Sequence, residues 1–334
     1  MACRILMCRG GDEMSFNLRI VAVAVLAALS SGMVPRQLAA APILFTQGVA
    51  GNELWQINED GTGLMQLLTM PSYIVSPRWS RDGSRIAFQS GTKLWIANAA
   101  GTVVNDLSGI SVADGGLTWD SSGGGLVYSA VSFCGEYLRA VNADGSNDRL
   151  FYDAGPGTMF YPDARPGDST PSLRVAYLHF NCSGGGPFGL EMTREGGAGF
   201  QTVPLESDVF RQQYPRWSRD SAELLTAIEL TSGDWALEIL DPFSSASRTR
   251  LLAGPGGFSE IDWGNQYSAI FFARESDGFR DLWRVNRDGT GLTQLTHFSD
   301  GFVRGVDVSP VPEPATLILF GSGVLVLLRR RPVW

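Results

Sequence analysis

Apolar and polar residues alternate in short runs through most of this chain, and the runs are broken by Asp-Gly and other glycine-bearing turns. Alternation with a period of two marks a strand whose two faces meet different surroundings. In the turns, Asp bonds its own downstream main chain and Gly accepts positive φ. The pattern predicts many short strands joined by tight turns.

The runs repeat. Leu54-Trp55-Gln56-Ile57-Asn58-Glu59-Asp60-Gly61-Thr62-Gly63-Leu64 and Leu282-Trp283-Arg284-Val285-Asn286-Arg287-Asp288-Gly289-Thr290-Gly291-Leu292 are two copies of one hairpin. Leu138–Ser146 and Leu94–Asn98 are further copies, and the segments at 190–193 and 237–241 are weaker ones. The strand segments of the copies end at 58, 98, 142, 193, 241 and 286, so they are spaced by 40, 44, 51, 48 and 45 residues. A four-stranded propeller blade takes about 40–50 residues. A second motif interleaves with the first. Pro77-Arg78-Trp79-Ser80-Arg81-Asp82-Gly83 recurs as Pro215-Arg216-Trp217-Ser218-Arg219-Asp220-Ser221. Degenerate copies begin at Trp119 and Trp263, and the copy near Tyr161-Pro162-Asp163 lacks the tryptophan. Trp79, Trp119, Trp217 and Trp263 are expected to wedge between adjacent blades rather than stack on a ligand.

Trp79-Ser80-Arg81-Asp82-Gly83-Ser84-Arg85-Ile86-Ala87-Phe88, followed by Leu94-Trp95-Ile96-Ala97-Asn98, resembles the TolB-type, WD40-like propeller repeat. Arg81 and Arg219 stand where that family usually has proline. The resemblance spans roughly 43–310, is strong towards both ends and is blurred between about 155 and 205 by glycine-rich insertions. It implies an all-β β-propeller over 42–310. The terminal pieces are incomplete units. Ile43-Leu44-Phe45-Thr46 begins in mid-blade, and the 302–310 segment aligns with the start of a unit and then stops. Sharing one blade between them would close the ring, hide its sheet edges and give six blades.

The flanks read as sorting segments. Arg19, the apolar run Ile20–Leu29 and the small residues Leu38-Ala39-Ala40-Ala41 form a secretory signal peptide over 1–41, with Met14 as an alternative true start. Signal peptidase is the expected partner. At the far end, over 311–334, Val311-Pro312-Glu313-Pro314 precedes the apolar run Ala315–Leu328 and then Arg329-Arg330-Arg331. A helix over those 14 residues would be ~21 Å long, short of the ~30 Å hydrocarbon core. It suits a transient insertion, with the arginines left on the cytoplasmic side. This arrangement resembles the PEP-CTERM sorting signal. The resemblance implies processing by exosortase near Pro312-Glu313-Pro314. It also implies delivery to the envelope, surface or matrix of a Gram-negative bacterium, usually one that makes exopolysaccharide.

Charge and chemistry narrow the function. The 42–314 portion holds 19 basic and 32 acidic residues, a net −13, and repels phosphate backbones, so no nucleic-acid partner is expected. Only His179 and His297 are present, and no Gly-x-Ser-x-Gly elbow, phosphate loop or zinc helix occurs. Both histidines read as packed or surface residues. Asp60, Asp82, Asp144 and Asp288 read as turn residues rather than calcium ligands. No catalytic residue, cofactor or metal is expected. The sequence points to a non-catalytic interaction module for an envelope protein or polysaccharide. The alternative is a glycan lyase or hydrolase working through channel carboxylates. Cys134 and Cys182 occupy equivalent repeat positions before the middle hairpins of neighbouring units. In an oxidising compartment they would either pair or remain separate on long hairpins.

Overall fold

The computed structural model describes residues 41–107, 110, 112–130, 137–155, 157–168, 173–180, 189–244, 247–265, 268–276 and 278–310. The signal peptide, the sorting motif with Val311, Pro312, Glu313, Pro314, Arg329, Arg330 and Arg331, and the cysteines Cys134 and Cys182 lie outside the described residues.

Six four-stranded antiparallel sheets form the six blades that the repeat spacing predicts. Blade 1 contains β1 (Pro42–Gln47), β2 (Glu53–Asn58) and β3 (Met65–Thr69). Blade 2 is β4 (Ile74–Trp79), β5 (Arg85–Ser90), β6 (Lys93–Asn98) and β7 (Val103–Leu107). Blade 3 is β8 (Val112–Trp119), β9 (Gly125–Ala130), β10 (Tyr137–Asn142) and β11 (Arg149–Tyr152). Blade 4 is β12 (Thr158–Ala164), β13 (Arg174–Phe180), β14 (Gly189–Arg194) and β15 (Gln201–Thr202). Blade 5 is β16 (Val209–Trp217), β17 (Leu224–Leu230), β18 (Trp235–Leu240) and β19 (Arg248–Gly254). Blade 6 is β20 (Phe258–Trp263), β21 (Ala269–Ser276), β22 (Phe279–Asn286) and β23 (Thr293–Gln294). The last strand, β24 (Arg304–Val308), returns to blade 1 as its inner strand.

That return closes the ring. Ile43 pairs with Val308, Leu44 with Asp307 and Thr46 with Arg304. The two incomplete terminal units therefore share one sheet, and the strand edge that each would expose alone is covered.

Burial follows position within a blade. In β5 every residue after Arg85 is buried, because both sheet faces meet neighbouring blades. The outer strand β3 is mostly exposed. Apolar clusters lie across the seams between blades. Leu44 and Leu54 of blade 1 pack with Trp79, Ile86 and Phe88 of blade 2, and Leu225 and Ala227 of blade 5 pack with Trp263 and Ile270 of blade 6.

Each inner strand runs towards the turns at 80–84, 120–124 and 218–223, which define one face, called here the turn face. The opposite face carries the hairpins between second and third strands, such as 91–92 and 231–234, and is called the hairpin face. Pro42 and Ser309 both lie at the turn face, where the Ser309 N–H donates to the Pro42 carbonyl at 2.8 Å.

Candidate functional site

The six inner strands share one irregularity. Ser76, Gly116, Tyr161, Tyr214, Glu260 and Gly305 all have positive φ, at 49°, 93°, 53°, 54°, 53° and 67°. Each stands three residues before the last-tier residue of its strand, namely Trp79, Trp119, Ala164, Trp217, Trp263 and Val308. The pairing register shifts at this point in β4, β8, β12, β16 and β20, and opposite β24 in β1. A bulge of this kind bends the strand and re-aims the side chains after it.

Two residues beyond each bulge stands one member of a ring: Asp307, Arg78, Thr118, Asp163, Arg216 and Asp262 in blade order. Where the ring residue can accept, it takes a main-chain N–H from the next blade. Asp307 Oδ2 accepts from Trp79 at 2.7 Å, Asp163 Oδ2 from Trp217 at 2.7 Å and Asp262 Oδ2 from Val308 at 2.7 Å. Thr118 Oγ1 accepts from Ala164 at 3.2 Å. Where the ring residue is arginine, its own carbonyl accepts from the next tryptophan. Trp119 Nε1 donates to Arg78 O at 3.0 Å, and Trp263 Nε1 donates to Arg216 O at 3.1 Å. At the two Asp-to-Trp junctions the indole N–H groups of Trp79 and Trp217 have no partner.

Arg216 occupies the middle of this ring. Its Nε donates to Ile261 O of blade 6 at 2.9 Å, and its Nη1 lies 3.4 Å from Asp163 Oδ1 of blade 4. Nη2 passes blade 6 to reach Val306 O of the closing strand at 3.4 Å. Arg219 of the same blade donates to Ser309 O at 2.7 Å. The closing strand is thus held from its own sheet and from blade 5. Arg78, opposite Arg216, is less well served: its Nε is 3.8 Å from Asp307 Oδ1 and has no hydrogen-bond partner.

Three carboxylates face two guanidinium groups here, and the imbalance appears in their proton affinities. Burial, then the charge of Asp262, pushes the Asp307 carboxyl up to about 7, against the pull of Arg78, Arg216 and the Trp79 N–H. Burial also raises Asp163, opposed by Arg216. Burial works against the Arg216 charge, but Asp163, Asp262 and Asp307 outweigh it and raise its pKa.

The four predicted packing tryptophans stand at the turn-face ends of their strands and are all buried. They line part of a cleft of about 120 Å³ at that mouth of the channel, together with Arg81, Arg219 and Pro310. Arginines cover three of the indoles. Arg85 lies 4.8 Å over Trp119, Arg165 5.4 Å over Trp217 and Arg287 5.3 Å over Trp263.

On the hairpin-face side of the ring the two halves of the propeller differ. Blades 1 to 3 put Gly305, Ser76 and Gly116 at the bulge, whereas blades 4 to 6 put Tyr161, Tyr214 and Glu260 there. The Tyr161 and Tyr214 rings are 4.4 Å apart, and Phe160 packs on Tyr161 at 5.9 Å. Burial, then nearby negative charge, raises both phenols, so they remain protonated. Arg211 and Arg304 act on Tyr161, and Arg280 acts on Tyr214. Arg211 is paired with Glu229 at 2.5 Å.

The Asp-Gly turns are self-contained. Asp60, Asp144 and Asp288 each accept both the N–H and the hydroxyl of the residue two positions on, at 2.6–3.0 Å. Asp82 accepts from Ser80 and Ser84, and these bonds lower its pKa to about 2. His179 Nδ1 lies 3.0 Å from Glu191 Oε1 within blade 4, and His297 is exposed. Among the described residues no three His, Cys, Asp or Glu side chains converge as a metal site.

The repeat pattern singles out the tryptophans and not the ring. The signal was available: each ring residue immediately precedes a tryptophan, or the Ala164 or Val308 that replaces one.

A family model of the PEP-CTERM protein-sorting motif matches residues 310–331. The motif marks an exported chain processed by exosortase at the cell envelope or surface. No curated protein matches the chain. Among solved structures, TolB from Acinetobacter baumannii aligns with a TM-score of 0.67 and 14% identity over 91% of this chain and 75% of that one. A chain of a nidogen/laminin complex aligns with a TM-score of 0.64 and 12% identity over 81% and 98%. An oligogalacturonate lyase in complex with manganese aligns with a TM-score of 0.52 and 14% identity over 77% and 74%. At these identities the likeness is one of fold.

Proposed function

We propose that the mature chain is a non-catalytic interaction module, sorted by exosortase processing and docking an envelope protein or glycan through its ring of loops. One observation carries this reading. Asp163, Asp262 and Asp307, the carboxylates of the ring, each accept a main-chain N–H from the next blade at 2.7 Å. They are committed to holding blades together and lie against Arg78 or Arg216. A rigid ring with variable loops suits docking. Pull-down from an envelope extract tests the reading, and specific capture of a protein or polysaccharide is the expected result.

The second reading, a glycan lyase or hydrolase, draws on Asp307. A channel carboxyl that titrates near neutrality can serve as an acid or base. Turnover of acidic polysaccharides, with or without divalent metal, and its loss in Asp307→Asn would favour that reading over the first.

A further inference from the structure

Tyr161, Tyr214 and Glu260 hold backbone conformations that L residues avoid, and they do so at one tier of three consecutive blades. The matching positions of the other half include two glycines, Gly116 and Gly305, which take the same conformation without strain. Residues held in such conformations cluster at active sites, ligand clamps and switch regions.

Their surroundings are chemically mixed. The two tyrosines present packed rings with protonated hydroxyls. Glu260 is partly exposed and its field reaches Arg78, Arg216 and both tyrosines. Ser259, beside it, is 8% exposed and its hydroxyl has no partner. Arg280 Nε is likewise buried without a partner. Arg304 is exposed at the start of the closing strand. Buried polar atoms in folded proteins are nearly always satisfied by protein or water, so Ser259 Oγ and Arg280 Nε keep hydrogen-bonding capacity for water or a bound group.

We infer that the hairpin-face side of the channel binds a sugar unit that carries a carboxylate, a uronic acid. The inference rests on the docking reading above and names the ligand class. Glu260 accepts sugar hydroxyls, Arg280 and Arg304 take the carboxylate, and the tyrosines cover an apolar face of the ring. A neutral sugar leaves the arginines unused.

Calorimetric titration of the exported protein with trigalacturonate, maltotriose and triglutamate tests this. Trigalacturonate binds, and the other two bind at least about tenfold more weakly. Glu260→Gly and Arg304→Ala each weaken trigalacturonate binding by about tenfold or more. Glu260→Gly melts no lower than the parent, because glycine fits φ of 53°. The inference falls if maltotriose or triglutamate binds as well as trigalacturonate. It also falls if Glu260→Gly keeps full affinity or melts lower than the parent. Failure of trigalacturonate alongside continued capture of an envelope partner overturns this inference alone. Failure of both overturns the docking reading as well.

Discussion

Asp307 Oδ2 accepts the main-chain N–H of Trp79 at 2.7 Å, across 228 positions of sequence. The bond ties the last strand of the propeller to its second blade. Half a turn away, Asp163 makes the same bond to Trp217. The two Pro-Arg-Trp-Ser-Arg-Asp motifs therefore sit in opposite blades, each capped by an aspartate from the blade before it.

Asp307 makes the closure sensitive to pH. An unfolded aspartate titrates near ~3.9, whereas burial and Asp262 bring folded Asp307 to about 7. The folded state holds this proton more tightly, so stability grows as pH falls through 7 towards about 4 and is lost as pH rises. Asp163, Glu59 and Glu238 are also raised, each chiefly by burial, and act with the same sign. The lowered turn aspartates, such as Asp82 at about 2, act at more acidic pH. The protein should melt higher at about pH 5.5 than at about pH 8.5, and Asp307→Asn should flatten that difference. Equal slopes in the two proteins would refute the assignment.

Removing the Asp163 carboxylate has a larger effect. Asp163→Ala strands the Trp217 N–H and leaves the Arg216 guanidinium short of a counter-charge in a buried ring. The expected loss is about 3 kcal/mol in denaturant unfolding. Asp163→Asn retains an acceptor for Trp217 and should lose clearly less. Equal losses would mean that charge alone matters there.

The bulge tier gives a paired test. A Cβ on Gly305 would lie 2.4 Å from Pro77 Cδ, and φ there is +67°. Gly305→Ala should destabilise by about 2 kcal/mol or more, since both the space and the conformation are wrong. Ser76 occupies the same tier at φ 49°. Ser76→Gly relieves that conformation and should stay within about 1 kcal/mol of the parent. Thermal melts that rank the two variants the other way would refute the shared-bulge account.

Blade number and ring closure were legible because they depend on spacing and on unmatched ends. The hairpin that ends at Asn58 returns at Asn286 with the same Asp-Gly-Thr-Gly turn, and the partial unit at 302–310 has no other edge to cover. The ring was marked only by position, one residue before each tryptophan or its replacement, because its six places hold Asp, Arg and Thr in different blades. Each satisfies the next blade differently, one through a side-chain oxygen and another through its own carbonyl. The strained tier was hidden for another reason. Tyrosine and glutamate give no propensity signal for positive φ, and Tyr161 lies in a copy whose tryptophan is replaced, by Ala164.

For the cysteines the sequence argument stands by itself. Cys134 and Cys182 are expected to pair in exported protein, closing a 48-residue interval that the loop-entropy relation values at roughly 4 kcal/mol at most. Peptide mapping without reductant should recover the two segments joined. Free thiols at both positions would show that their shared register is coincidental.

The closing strand and the sorting motif are adjacent in sequence, yet they should be separable in stability. All described hydrogen bonds of the closure fall at or before Ser309. Its N–H donates to Pro42 O at 2.8 Å, and its carbonyl accepts from Arg219 at 2.7 Å. The matched motif begins at residue 310. A chain ending after Pro314, as exosortase processing near the motif would leave it, keeps every one of these bonds and should melt within about 2 °C of the longer chain. A chain ending at Val303 loses β24 and with it the Asp307 bond to Trp79, the Val308 bond to Asp262 and the pairing of Ile43 and Leu44. It exposes the edge of β1, whose residues are all buried in the closed ring. That chain should aggregate or lose its cooperative transition. Intact-mass measurement of envelope-derived protein supplies the companion result, with mature ends near Ala41 or Pro42 and near Pro312-Glu313-Pro314. Recovery of the 329–334 peptide from mature material would show that the tail is retained. A cooperative melt from the chain ending at Val303 would show that β24 is not what closes the ring.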